Sequence, residues 1–177
     1  MKSVIRNEVL GQLRRLSNED KMQASLKIQN YLSSELKAEE GTWAGYMPLG
    51  NEPEINWSEA APQLTWVFPV ALQNTLEFKK PSDGFQKGGL GLQEPKGPVV
   101  PVSEISGFVI PGLGYDQAGY RLGRGRGYYD RTLSGNKKNK IGVCFEVSFL
   151  KDIPFEEHDV CCDKIITEKK VYTVSKS

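Results

Sequence analysis

Beyond residue 41 the apolar residues of this chain arrive in short unbroken runs, and that pattern sets the fold class. Thr42–Met47, Leu64–Phe68, Phe108–Ile110 and Ile141–Phe145 are such runs, and Lys164–Thr167 reads as a further one. A strand with one wet face alternates apolar and polar residues, whereas an unbroken run suits a strand buried on both faces. Trp57–Ala61 and Tyr128–Leu133 read as short helices between the runs. Two longer helices precede them. Val9, Leu13 and Leu16 form one apolar stripe at helical spacing, and Ala24, Ile28, Tyr31, Leu32 and Leu36 form a second. Ser17-Asn18-Glu19-Asp20 separates the two, with a serine placed to accept from backbone N–H groups at a helix start. The expected architecture is α/β: three layers, with a mostly parallel central sheet and helices on both faces. Between Phe78 and Val99 the chain is rich in Gly, Pro and Lys, which predicts a long surface excursion. No repeat or linker divides the chain, so residues 1–177 are expected to form one domain.

Glycine is unevenly placed. Of 18 glycines, 12 fall between Gly84 and Gly127. The densest part is Gly119-Tyr120-Arg121-Leu122-Gly123-Arg124-Gly125-Arg126-Gly127-Tyr128-Tyr129-Asp130-Arg131. Alternating glycines let a backbone bring its N–H groups close to a ligand, and the arginines between them offer planar forks for phosphate or carboxylate. A helix opening at Tyr128 would aim further N–H groups at the same place. The segment therefore suits an anion, although a flexible basic loop or an Arg-Gly element on RNA would share its composition. It is neither a G-x-x-x-x-G-K-[ST] loop nor a G-x-G-x-x-G fingerprint.

Around it stand candidates with two readings each. Asp130 and Asp163 could hold magnesium beside a bound phosphate, or serve as surface carboxylates or caps. Lys2 and Arg6, one helical turn apart, could add two cations to an anion site or simply face solvent. Glu52 follows a strand end, where ligands of α/β sheets bind, or is a solvated loop residue. His158 is the only histidine, and Cys144, Cys161 and Cys162 lack zinc-ligand spacing, so a zinc site is excluded from the expectations. No G-x-S-x-G elbow is present. A net charge of +1 argues against a dedicated nucleic-acid partner. Three cysteines, two of them adjacent, suit a reducing compartment. The start of the chain is too charged for a signal peptide and Pro69 interrupts the longest apolar run, so the expectation is a cytoplasmic protein with no membrane partner.

Pro111-Gly112-Leu113-Gly114-Tyr115-Asp116 followed by Gly119 through Arg131, with its G-x-G-x-G-Y-Y-D core, resembles the signature of the 5-formyltetrahydrofolate cyclo-ligase family. The likeness extends to Lys2-x-x-x-Arg6, to Met47 through Glu52, to Gly91-Leu92-Gln93-Glu94-Pro95, and to His158-Asp159 with Asp163 through Glu168. Arg124 and Arg126 stand where many relatives carry an aromatic residue and a glycine. The resemblance implies a sheet like that of sugar-phosphate isomerases and CoA transferases. It also implies ATP-dependent cyclisation of 5-formyltetrahydrofolate to 5,10-methenyltetrahydrofolate, with Mg2+, through a phosphorylated formyl intermediate. On that likeness Lys2, Arg6, Arg121, Gly123, Arg124, Gly125, Arg126, Gly127, Tyr128 and Tyr129 would hold ATP. Met47, Glu52 and the stretch Arg124, Gly125, Arg126, Gly127 and Tyr128 would meet the folate, polyglutamylated or not. Arg124 and Arg126 would stabilise the phosphoryl group in transfer, Asp130 and Asp163 would take the metal, and the enzyme would act as a monomer.

Overall fold

A computed structural model describes residues 1–89 and 91–175. The two N-terminal stripes become helices α1 (Lys2–Arg14) and α2 (Asn18–Glu35), and Ser17 Oγ caps the second by accepting the Asp20 N–H at 3.0 Å. Val9 and Leu13 of α1, and Ala24, Ile28 and Leu32 of α2, are buried as their spacing requires. Tyr31 departs from its stripe. It lies at the rim, 36% exposed, where its hydroxyl donates to the Lys169 carbonyl at 3.0 Å.

The strands and remaining helices follow in the order β1 (Thr42–Ala44), α3 (Trp57–Ala60), β2 (Thr65–Ala71), β3 (Leu76–Lys79), β4 (Phe85–Lys87), β5 (Gln93–Pro95) and β6 (Val99–Val100). Then come β7 (Gly107–Pro111), β8 (Gly114–Asp116), β9 (Arg121–Leu122), α4 (Tyr128–Leu133), β10 (Asn139–Val143), β11 (Phe149–Leu150), β12 (Lys164–Ile166) and β13 (Val171–Thr173). The main sheet runs β13-β12-β10-β7-β1-β2-β3-β6. Its centre, β12-β10-β7-β1-β2, is parallel, and β13, β3 and β6 add antiparallel flanks. Each unbroken apolar run thus became a strand of the parallel centre.

Alternation sends side chains to two cores. Trp43, Trp66, Phe68, Val109, Ile141 and Val143 meet α1, α2 and α3 on one face. Ala44, Val67, Phe108, Ile110 and Ile165 face the other, together with Tyr129 and Leu133 of α4. The layers are unequal. On the second face a single short helix is supplemented by Tyr115 and Phe149 from the small sheet β11-β8-β9. At Gly107 the Trp43 ring occupies the space of a side chain, since a Cβ there would lie 2.4 Å from the ring.

Two local expectations change. The excursion from Phe78 to Val99 is mostly exposed but carries short strands, the end of β3, the hairpin β4–β5 and the start of β6; Leu90 lies outside the described residues. β2 also runs through Pro69 to Ala71. Proline is tolerated there because pairing to β1 ends at Val67, so no ladder bond on that side needs its missing N–H.

Candidate active site

A cavity of about 280 Å³ opens at the C-terminal ends of the parallel strands. Tyr46 and Met47 enter it just after β1, Ala71 at the end of β2, and Pro111 at the end of β7. This is the edge at which α/β sheets bind ligands. The volume is close to the lower end of the range for small-molecule sites, about 300–1,000 Å³, and suits a ring system.

The glycine-arginine segment forms one wall. β9 carries Arg121 into the cavity, where its Nε donates to the Pro111 carbonyl at 2.7 Å and its guanidinium lies 5.0 Å from the centre of the Tyr129 ring. Gly125 and Gly127 have φ of +101° and +69°, which lets the loop fold back before α4 begins at Tyr128. Arg131 then reaches back from α4. Its Nη2 donates to the Arg126 carbonyl, and its guanidinium lies 5.8 Å from the Tyr128 ring centre.

Glu52 faces this wall. It is 6% exposed, accepts the Leu49 N–H at 2.8 Å through Oε1, and places Oε2 3.7 Å from Arg124 Nε. Burial raises its carboxyl pKa above the ordinary value, against the opposing pull of the Leu49 N–H and the Arg124 guanidinium. Burial likewise pushes the Tyr129 phenol well above its usual range. The cavity therefore pairs one buried acceptor with several arginine donors over mostly apolar walls.

Among the sequence candidates, Met47, Glu52, Arg121, Arg124, Arg126, Gly127, Tyr128 and Tyr129 line this cavity. Lys2 and Arg6 do not, but α1 brings Arg6 against the loop and Lys2 to Asp159. Arg6 Nε donates to the Gly123 carbonyl at 2.7 Å and its guanidinium packs beside Gly125. Lys2 forms an ion pair with Asp159 at 2.7 Å. Burial alone would raise Asp159, yet Lys2 and the Glu156 N–H outweigh it and hold that carboxyl below its ordinary value.

The two metal candidates are not gathered at the cavity. Asp130 Oδ1 accepts the Val160 N–H at 2.9 Å, and Asp163 Oδ2 accepts the Lys140 N–H at 2.8 Å at the start of β12, the opposite edge of the parallel sheet. Among the described residues no group of three His, Cys, Asp or Glu side chains could hold a metal ion. Each carboxylate is engaged by a backbone donor, and Asp130 alone lies next to the glycine loop.

Several lining residues had no role in the sequence reading: Tyr46, Pro69, Leu76, Leu92, Glu94 and Pro111. Tyr46 lay inside an apolar run, and Glu94 inside the Gly-x-x-Glu-Pro element. Those were the available signals.

A parallel α/β sheet whose C-terminal edge carries a glycine-arginine loop over a buried glutamate defines a small-molecule enzyme of the anion-handling kind. The chain belongs to the 5-formyltetrahydrofolate cyclo-ligase family, whose model matches residues 1–168. It is 30% identical to the 5-formyltetrahydrofolate cyclo-ligase of Mycolicibacterium smegmatis across 96% of this chain and 94% of that one. The Escherichia coli cyclo-ligase is 33% identical over 47% of this chain and 49% of its own. The solved 5,10-methenyltetrahydrofolate synthetase of Aquifex aeolicus superposes with a TM-score of 0.80 at 28% identity, covering 99% of this chain and 94% of that one. The synthetase of Mycoplasma pneumoniae gives 0.79 at 27% identity, over 94% and 98%. No helix among the described residues is long and apolar enough to cross a membrane.

Proposed function

We propose that this chain cyclises 5-formyltetrahydrofolate to 5,10-methenyltetrahydrofolate with hydrolysis of ATP to ADP and phosphate, acting as a monomeric single-domain cytoplasmic enzyme. The observation that carries the reading is Glu52, buried and 3.7 Å from Arg124 in the lining of a cavity whose other walls are mostly apolar. A pterin is flat and apolar on its faces and bears amino and ring N–H donors on one edge. Glu52 would accept from those donors, with Met47 and Tyr128 packed on the ring faces.

The chemistry explains the arginines. The N5-formyl group is an amide with a poorly electrophilic carbon, and its oxygen is a bad leaving group. Transfer of the ATP γ-phosphoryl to that oxygen gives an iminium phosphate; N10 attacks the formyl carbon, phosphate departs with the C–O bond pair, and the N10 proton is released. Such a sequence calls for positioning and charge neutralisation more than for an acid–base pair. Arg124 and Arg126 would stabilise the phosphoryl group in transfer. Arg121, Tyr129 and the backbone of Gly123, Gly125 and Gly127 would hold the nucleotide. Arg6 would brace the loop from behind, and Lys2 would join the phosphates by exchanging its partner Asp159 for them.

Asp130 and Asp163, held by the Val160 and Lys140 N–H groups, do not build a two-residue magnesium site by themselves. Magnesium needs only one or two protein carboxylates when it travels with nucleotide phosphates. Asp130 is this chain's candidate to meet it, through the Oδ2 that takes no hydrogen bond among the described residues. Asp163 ties β12 to β10.

The test is direct. The purified protein with 5-formyltetrahydrofolate and MgATP should generate the methenyl chromophore and release one phosphate per ring closed. Folate binding with no chromophore at saturating MgATP would sink the catalytic reading.

A further inference from the structure

The cavity holds a second carboxylate. Glu94 sits on β5, the inner strand of the β4–β5 hairpin, and its side chain crosses from the hairpin to the main sheet. Glu94 Oε2 accepts the Ala71 N–H at 3.0 Å, at the last residue of β2. Nothing nearby in sequence makes this bond, since the partners are 23 residues apart.

The hairpin has been shaped around that reach. Gly88 leaves the space the carboxylate needs, because a Cβ there would lie 2.2 Å from Glu94 Cδ and Oε1. The hairpin's base is closed by Lys96 N–H to the Gly84 carbonyl at 2.9 Å and by Gly97 N–H to the Lys80 carbonyl at 2.9 Å. Gly84 adopts a φ of +85°, and a Cβ on Gly97 would lie 2.2 Å from the Lys80 oxygen. On the side away from the cavity, the Phe85 ring rests 5.9 Å from Phe68. Beyond the base and this ring contact, the Glu94 carboxylate is, among the described residues, the polar tie between the hairpin and the end of β2. Leu92, one residue before β5, lines the cavity with it.

We infer that Glu94 is a positioning residue: it latches the β4–β5 hairpin to the end of β2 and thereby sets Leu92 as a wall of the folate cavity. This rests on the proposed function for the identity of the ligand. The latch itself rests only on the Glu94–Ala71 bond and the space at Gly88. It also gives the earlier half of the glycine band a purpose. Gly84, Gly88 and Gly97 let the hairpin lie flat enough for one side chain to cross it.

Two variants and two readouts test the inference. A glutamine carbonyl can still accept from Ala71, whereas an alanine cannot reach it. Glu94→Ala should speed hydrogen–deuterium exchange at Ala71 and in β4 and β5 by roughly fivefold or more, the size of one lost hydrogen bond. The β1–β2 ladder should be unaffected. In the ring-closing assay the same variant should raise KM for 5-formyltetrahydrofolate several-fold with kcat nearly constant, the signature of lost uniform binding. Glu94→Gln should restore both. Exchange that ignores Glu94→Ala overturns the latch. Equal KM defects in the two variants, with exchange normal in Glu94→Gln, also overturn it, by showing that the charge meets the substrate directly. Exchange that responds to Glu94→Ala in a protein whose parent closes no ring would refute the assigned activity and uphold the latch.

Discussion

At Glu52 the local environment favours the protonated form, and this links folding to pH in a particular sense. Below the ordinary glutamate range the folded and unfolded chains both hold the proton, and the residue has no net effect. As pH rises through that range the unfolded chain releases its proton first, so stability falls until the folded carboxyl has ionised as well. Glu52→Gln keeps an oxygen for the Leu49 N–H and leaves Arg124, whose side chain is 34% exposed, to water. The variant should melt at a higher temperature than the parent at pH 7 to 8, and the gap should close below about pH 4, where the ordinary glutamate carboxyl is protonated. Thermal denaturation across that range is the measurement. The same change should raise KM for the folate roughly three- to thirtyfold, since a hydrogen bond to a charged group is worth about 1.5–3 kcal/mol against about 1 kcal/mol for a neutral one. A stabler protein that binds its substrate worse is the expected mark of a residue kept for function. An unaltered KM would remove Glu52 from the substrate site.

Among the elements, the parallel centre of the sheet was legible and its margins were not. The strands buried on both faces show as unbroken apolar runs, so β1, β2, β7, β10 and β12 stand out in the sequence. β3 and the hairpin β4–β5 carry half-exposed residues and glycines, and β8, β9 and β11 span only two or three residues, too few for any period. The loop from Gly123 to Tyr129 was legible because its chemistry is local. Glu94 was not, because its partner is fixed by tertiary geometry. Asp163 is a related case: a carboxylate beside a strand looks the same in sequence whether or not it accepts a backbone N–H, as this one does from Lys140. Between elements, Gly107 of β7 fits closely against the Trp43 ring of β1. Gly107→Ala should destabilise the protein by about 1–3 kcal/mol, the usual cost of overpacking a core. Urea denaturation would show it as a lower midpoint at an unchanged slope. A variant as stable as its parent would mean the two strands separate more readily than their register suggests.

At the scale of the whole molecule, the thiols report on how tightly the second core is closed. Burial pushes the Cys162 thiol up to about 12 and Cys144 higher still, so neither is a thiolate near neutral pH, and both side chains are enclosed. Cys161 is only partly buried. Native protein treated with iodoacetamide at pH 8 should therefore gain one adduct, at Cys161, and two more only on unfolding. Peptide mass mapping would identify them, and early labelling of Cys144 would show that the second core opens on its own.

The ties made by the first helix have a consequence for the order of events during synthesis. Arg6 holds Gly123 and Lys2 holds Asp159, so residues of α1 find their polar partners more than a hundred positions later in the chain. At translation rates of about 5–20 residues per second, α1 waits roughly ten to thirty seconds for Asp159 to be made. Until Gly123 is made, the helix that braces the glycine loop has no loop to brace. The arrangement cannot be completed segment by segment, because the glycine loop is fastened from α1, and α1 in turn is held by Asp159, 36 residues beyond Gly123.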